Sequence, residues 1–273
     1  MKGYEAGDSM IKILMARMRQ GYRTMAFPDG PAPALPERFR GRPVMDEALC
    51  VAGCRACVEA CPTGAIRVTD KVRVDLGRCL FCADCREACP QGAIEYSKDY
   101  RLTVRQREDL LVEPGRELKL AAELDRQSKR LFGRSLKLRQ VSAGGCNACE
   151  ADVNVLGTVG WDLGRFGIQF VASPRHADGV LITGPVTENM RLALRKTYDA
   201  VPAPKLVIAV GACAISGGPY IDHPEQHNGA GSALMVDLFI PGCPPHPLTI
   251  LDGLLRLLGR IKEGKGAAVQ AKV

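Results

Sequence analysis

The feature that most constrains this chain is a cysteine run that occurs twice. Cys54-Arg-Ala-Cys57-Val-Glu-Ala-Cys61-Pro62-Thr-Gly64-Ala65-Ile66 matches Cys82-Ala-Asp-Cys85-Arg-Glu-Ala-Cys89-Pro90-Gln-Gly92-Ala93-Ile94, each pair offset by 28 residues. Such a repeat implies two half-domains related by pseudo-symmetry, with one site in each. The second half is complete as Cys79-x2-Cys82-x2-Cys85-x3-Cys89-Pro90. The first has one residue more, Cys50-x3-Cys54-x2-Cys57-x3-Cys61-Pro62. Gly53 stands at that insertion, where it can take the dihedrals of a bulged turn.

The spacing has a chemical reason. Three cysteines two residues apart wrap a tight loop, so that three thiolates reach three irons of an iron–sulfide cube. Amides of the loop can point at the sulfides and offset the negative charge. The fourth cysteine, followed by proline, turns away toward a second cube. This is the run of bacterial two-cluster ferredoxins. Crossed ligation assigns one 4Fe-4S cluster to Cys50, Cys54, Cys57 and Cys89, and the other to Cys79, Cys82, Cys85 and Cys61. A pair of CxxC motifs alone could bind zinc, and a secreted chain would pair cysteines as disulfides. Two complete four-cysteine runs, each ending Cys-Pro, argue against zinc, and disulfides would leave the spacing without a purpose.

Four of the 12 cysteines remain. Cys146-Asn147-Ala148-Cys149 follows Gly144-Gly145, while Cys213 and Cys243 are single and distant. A local CxxC plus two distant loop cysteines is a plausible third four-ligand site. Gly211, Gly217-Gly218 and Pro241-Gly242-Cys243-Pro244-Pro245 let the backbone approach a cluster closely. From spacing alone, zinc or unligated cysteines remain alternatives here.

At 273 residues the chain suits two domains. No secretory signal is expected, because Lys2, Glu5, Asp8 and Lys12 interrupt the first 20 residues. No run approaches the roughly 18 apolar residues of a membrane span. The net charge of +7 owes much to residues 101–140, which hold 11 Lys/Arg against 6 Asp/Glu. The charges are mixed in sign and no aromatics interleave for base stacking. A solvated helical arm, or a face against an acidic partner, is expected there rather than a nucleic-acid surface.

Composition shifts divide the chain. Residues 8–25 read as an amphipathic helix, with Met10, Ile11, Leu14, Met15, Met18, Tyr22 and Met25 on one stripe. That stripe suits either an adaptable contact surface or packing on the chain's own core. A Pro-rich segment, Pro28 to Pro43, follows and should run extended. The expected organisation is a helix and docking arm over 1–44, a ferredoxin-like two-cluster module over 45–97, a charged helical connector over 98–134 and an α/β domain over 135–273. In the last, Gly167–Ala172, Gly179–Thr183, Lys205–Val210 and Met235–Ile240 read as strands, with helical patterns such as Asn189–Tyr198 between them. That alternation predicts a flavodoxin-like domain with a parallel sheet, whose ligands sit at the carboxyl ends of strands. Cys213 and Cys243 lie at such ends. A last amphipathic helix is expected over Pro247–Lys262, followed by a frayed tail.

Longer motifs carry a family resemblance. Gly145-Cys146-Asn147-Ala148-Cys149-Glu150, Ser173-Pro174-Arg175-His176-Ala177-Asp178, Thr183-Gly184-Pro185-Val186-Thr187, Gly211-Ala212-Cys213-Ala214 and Pro241-Gly242-Cys243-Pro244-Pro245 resemble the small subunit of membrane-bound, energy-converting (group 4) NiFe hydrogenases, the formate hydrogenlyase type above all. The same fold serves as the B subunit of respiratory NADH:quinone oxidoreductase. The first half, with Phe39-Arg40-Gly41-Arg42-Pro43 ahead of its cysteines, resembles the two-cluster ferredoxin-like (I-type) subunit of the same complexes. The chain thus resembles a fusion of two neighbouring subunits.

The resemblance implies a third 4Fe-4S cluster on Cys146, Cys149, Cys213 and Cys243. It also implies an oxidoreductase subunit whose catalytic metal lies on a partner. The implied partners are a NiFe-type large subunit, other soluble-arm subunits, complex I-like membrane subunits, and a formate dehydrogenase or ferredoxin as electron donor. The implied location is peripheral, on the cytoplasmic side of the membrane. Respiratory B subunits typically carry two adjacent cysteines at the first ligand position. Cys146-Asn-Ala-Cys149 follows the hydrogenase pattern instead, although nickel-free and quinone-linked relatives share the fold. Glu150, next to a ligand, is a candidate for proton transfer or a hydrogen-bonded interface carboxylate. Arg175 is a candidate hydrogen-bond donor to a cluster or the large subunit. His176 is read as a loop residue that could also tune the cluster, and His246 as an interface residue. No nucleotide-binding loop is present.

Overall fold

The computed structural model describes residues 6–21 and 23–261. In chain order the first part comprises α1 (Ala6–Gln20), β1 (Pro43–Met45), α2 (Ala56–Glu59), β2 (Ile66–Val68), β3 (Val72–Asp75), α3 (Asp84–Glu87), β4 (Ile94–Tyr96) and β5 (Leu111–Val112). The second comprises α4 (Arg126–Phe132), β6 (Leu136–Ser142), α5 (Ala148–Val155), β7 (Ile168–Phe170), β8 (Gly179–Thr183), α6 (Glu188–Ala200), β9 (Leu206–Val210), α7 (Ala212–Ser216), β10 (Leu238–Ile240) and α8 (Pro247–Leu257).

The repeat folds as two like halves. Each has a cysteine loop, a single-turn helix (α2, α3) and a short strand (β2, β4). The strands then find different partners: β2 pairs antiparallel with β3, and β4 with β1. Gly53 adopts φ +83°, so the inserted residue is absorbed in a left-handed turn.

The five-stranded sheet is wholly parallel, in the order β10-β9-β8-β6-β7. Counted from β6, this is the 2-1-3-4-5 order of flavodoxin-like folds. β8 and β9 are continuous apolar runs because both sheet faces are covered, and all five residues of each are buried. Their positions match the expectation to within a residue. β7 and β10 are shorter than expected, and the expected helix over Asn189–Tyr198 is Glu188–Ala200.

Three expectations need correction. The first helix ends at Gln20 instead of 25, because Gly21 takes a left-handed φ of +60° and its carbonyl accepts from Arg17. Met25 leaves the stripe and packs against the core, whereas Met10, Ile11, Leu14, Met15 and Met18 stay exposed. Tyr22 lies outside the described residues.

The connector over 98–134 is not a helical arm. Only α4 is α-helical, capped by the Asp125 carboxylate, which accepts from the Gln127 and Ser128 amides. Before it the chain runs between the two halves. Val104 exchanges backbone hydrogen bonds with Phe239 beside β10, Leu111–Val112 adds β5 to β3, and Leu102, Val104, Leu110, Ala121 and Leu124 are buried. Mixed charges gave a helical pattern, but the apolar residues between them are a seam filler.

The last helix is shorter than expected and is wholly enclosed. Every residue of α8 is buried, and it ends at Leu257, five residues short of the expectation. Its two charges, Asp252 and Arg256, pair internally at 2.8 Å. The tail beyond residue 261 lies outside the described residues.

The halves share one core. Val74, Leu76 and Cys79 of the first belong to the same buried cluster as Ile182, Val207 and Ile215 of the second. Ser216 Oγ donates to the Gly77 carbonyl at 2.8 Å, and Arg107 grips Asp75 with two bonds of 2.8 and 2.7 Å.

Candidate metal centres

The repeat's loops gather thiols by a local rule. In Cys61-Pro-Thr-Gly64-Ala65 and Cys89-Pro-Gln-Gly92-Ala93, the glycines take φ of +60° and +63°. That left-handed step turns the next amide back onto the cysteine. Ala65 N–H donates to Cys61 Sγ at 3.2 Å, and Ala93 N–H to Cys89 Sγ at 3.3 Å. Phe81 N–H likewise donates to Cys79 Sγ at 3.3 Å, helped by a left-handed Phe81 at φ +54°. These amides soften the charge of a thiolate bound to metal.

The thiols meet in crossed sets. One small cavity is lined by Cys50, Cys54, Cys57 and Cys89. A second is lined by Cys61, Cys79, Cys82 and Cys85. These are the two quartets that the spacing assigned. Burial is the main force on the deeper thiols. It pushes Cys79 up to about 12, with Cys85 and Cys61 adding to it against the Phe81 amide. It also raises Cys57 and Cys85. Protonated, such thiols are neutral. A metal centre that displaces their protons restores the balance of charge and makes loading pH-dependent.

The third quartet is assembled by topology. Cys146 and Cys149 follow β6, Cys213 opens α7 after β9, and Cys243 follows β10. All lie at the carboxyl edge of the parallel sheet, where such folds place ligands. Burial is the chief cause of the raised Cys149 thiol, with Cys213 and Cys243 next. Burial also lifts Cys213 to about 12, followed by Cys243 and Cys146. The four therefore face one another. Backbone crowding explains the glycines: a Cβ on Gly211 would stand 2.5 Å from Cys149 Sγ, and one on Gly218 would stand 2.8 Å from Cys213 Sγ.

No group of three or more His, Cys, Asp or Glu among the described residues is placed to hold a single metal ion. The first two quartets instead surround apolar cavities with four soft thiols each, the donor set that an iron–sulfur centre takes.

The quartets are neighbours in a fixed order. Cys85 of the second acts on Cys57 of the first, and Cys82 of the second acts on Cys243 of the third. Between the second and third runs a cleft of about 750 Å³, with Arg38, Arg40, Leu80 and Phe81 on one side and Cys243, Pro245 and His246 on the other.

The other singled-out residues fall in different places. Glu150 is buried, and its Oε1 accepts from Ser142 Oγ at 2.5 Å and Thr183 Oγ1 at 2.7 Å. This is the geometry of a pinned, hydrogen-bonded carboxylate. It faces Cys149 and Cys213. Arg175 and His176 lie on the turn after edge strand β7, and both are exposed. His246 caps α8, accepting from the Leu248 amide at 3.1 Å, and stacks edge-on with Phe39 and Trp161. Burial lowers its pKa.

Sequence reasoning passed over Tyr96. Its hydroxyl lies 3.4 Å from Cys85 Sγ, and it lines the same cavity as Cys79. Burial, then the charge of Cys79, pushes its phenol well up, so it keeps its proton. Its position three residues after Gly-Ala in the repeat was the available signal. No helix among the described residues is long and apolar enough to cross a membrane.

Two family models match separate stretches of the chain. Residues 146–257 match the family model described as NADH ubiquinone oxidoreductase, 20 Kd subunit, and residues 49–93 match a 4Fe-4S dicluster domain. The probable membrane-bound hydrogenase subunit mbhJ of Pyrococcus furiosus is 39% identical over 132 residues, covering 48% of this chain and 79% of that protein. The B-type subunit of NADH-quinone oxidoreductase from Clostridium beijerinckii is 44% identical over 118 residues, covering 43% and 70%. Among solved structures, a chain of an archaeal membrane-bound sulfane sulfur reductase is 34% identical over 52% of this chain and 78% of its own, with a TM-score of 0.44. The chain belongs to the iron–sulfur oxidoreductase family of the 20 kDa NADH ubiquinone oxidoreductase subunit, which includes mbhJ and the B-type subunits of NADH-quinone oxidoreductase, and it carries a 4Fe-4S dicluster domain ahead of that module.

Proposed function

We propose that this chain is the electron-transfer subunit of a membrane-bound, multisubunit hydrogenase of the formate hydrogenlyase type. Three 4Fe-4S clusters would sit on Cys50/Cys54/Cys57/Cys89, on Cys61/Cys79/Cys82/Cys85 and on Cys146/Cys149/Cys213/Cys243. Each cluster supplies reversible one-electron storage when bound. The observation that carries this reading is the gathering of the thiols, with Cys50, Cys54, Cys57 and Cys89 around one cavity and Cys61, Cys79, Cys82 and Cys85 around another, whose Leu80 also lines the cleft that holds Cys243. Twelve thiols placed in three adjacent fours make a path along the molecule and leave none for a nucleophile.

The chain's own residues bind, orient and shield. Amides of Ala65, Phe81 and Ala93 hold thiolate sulfurs. Gly211 and Gly218 let backbone close on the third quartet. Glu150 is held rigid by Ser142 and Thr183. Catalysis lies on a partner large subunit with a NiFe site, to or from which the third quartet delivers electrons. We take residues 45–97 as the two-cluster module, 135–273 as the module facing the large subunit, 98–134 as the seam between them and 1–44 as an arm. The exposed face of α1 is the part of that arm available to sister or membrane subunits. The chain then sits peripherally on the cytoplasmic side, and a formate dehydrogenase or ferredoxin is the donor.

Isolation of the native complex tests the reading. Nickel in the large subunit and two CxxC pairs in its sequence are expected. A second reading, the equivalent role in a quinone-linked or nickel-free complex, has the 44% identity to a B-type NADH-quinone oxidoreductase protein in its favour. A large subunit without nickel and without those pairs decides for it.

A further inference from the structure

The two halves of the repeat are not chemically equivalent. β4 ends on Tyr96 and β2, 28 residues earlier, ends on Val68. Thr63, which lines the second cavity, is matched by Gln91, which lines the first. The second quartet is thus met by a phenol 3.4 Å from Cys85 Sγ, on the cavity that Cys79 also lines. The first cavity has no hydroxyl-bearing residue in its lining; at its rim Asp46 accepts from the Ala48 amide and Glu47 pairs with Lys71. The Tyr96 ring is half-buried and leans on Phe81 at 6.4 Å between ring centres, so its hydroxyl is held in place.

We propose that Tyr96, by donating its hydroxyl to the Cys85 thiolate of the second quartet, sets that cluster's reduction potential above that of the first. This rests on the cluster assignment above. A thiolate of a reduced cluster carries more negative charge than one of an oxidised cluster. A donor aimed at it therefore favours reduction, and it does so here against the Asp84 carboxylate that acts on Cys82. One electron leaves the first cluster, which is oxidised by one, and enters the second, which is reduced by one. No bond forms or breaks, and the phenol proton stays on Tyr96. The middle of the path becomes a lower-energy seat than the first cluster, and electrons from the dicluster end fall toward it. Tyr96 is a positioning residue that acts through Cys85.

The test is a potentiometric titration of the whole chain in its native complex, followed by electron paramagnetic resonance. Cys54→Ser and Cys82→Ser identify the signals of the first and second clusters. In Tyr96→Phe, which keeps the ring and its contact with Phe81, the second cluster should become about tenfold harder to reduce, about 59 mV for one electron. The first and third should not move, and Tyr96→His, which restores a donor, should recover part of the shift. An unmoved second potential in a Tyr96→Phe protein of full iron content overturns the proposal. The unsubstituted protein gives an independent check if the variant fails to fold, because its second cluster must be reduced before its first, and the reverse order overturns the proposal. Absence of a second cluster signal from the unsubstituted protein would sink the cluster assignment itself, a result distinct from three clusters with an unmoved potential.

Discussion

The two halves of the molecule build their thiol sites by opposite routes. In the dicluster half, seven of the eight ligand positions sit in two copies of one local loop, and Cys50 is reached through the bulge at Gly53. Each loop is shaped by its own glycine, with Gly64 and Gly92 turning an amide back onto a cysteine four residues earlier. In the α/β half, Cys146, Cys149, Cys213 and Cys243 come from the ends of three strands, and only the finished sheet brings them together. A local site depends on backbone dihedrals of a few residues. A topological site depends on the packing of the whole sheet and of the helix that backs it.

That contrast can be broken by substitution, beginning with the helix. Asp252→Ala leaves the Arg256 guanidinium buried on α8 without its carboxylate, which should cost about 3–5 kcal/mol. Thermal unfolding followed by circular dichroism checks this, and iron should be lost from the third quartet first. If iron leaves the dicluster half equally early, the two sites are not built independently.

Gly211→Ala comes next. It sets a methyl 2.5 Å from Cys149 Sγ at a φ of +90°, so it combines overpacking with a left-handed penalty. The sum is about 2–5 kcal/mol. Iron analysis should show the third cluster missing and the first two retained.

Gly64→Ala is the smallest of the three. Its φ of +60° is equally left-handed, yet a Cβ there meets nothing within 4 Å. The penalty is the dihedral alone, about 1–2 kcal/mol, and all the iron should be kept. Similar losses from Gly64→Ala and Gly211→Ala would show that backbone strain, and not the approach to sulfur, governs both.

What was legible in the sequence follows the same contrast. The crossed quartets could be written down from spacing because the ligands of each loop lie within a few residues of one another. β8 and β9 were legible as apolar runs covered on both faces. The third quartet needed the family resemblance, since nothing local links Cys149 to Cys213 or Cys243. The connector was misread because its charges repeat as on a helix, whereas Val104 bonds beside β10 and Leu110 leads into the strand that pairs with β3. Burial of α8 could not be read from its pattern, because Asp252 and Arg256 neutralise each other four residues apart. Tyr96 was passed over because its hydroxyl matters only once the strand carrying it is folded against the cysteine loop.

The direct measure of the account is the iron and sulfide content of the purified chain, with electron paramagnetic resonance of the reduced protein. Three four-iron clusters predict about twelve irons per chain and three interacting signals. About eight irons, with two signals from the dicluster half alone, would contradict the third quartet and the electron path that runs through it.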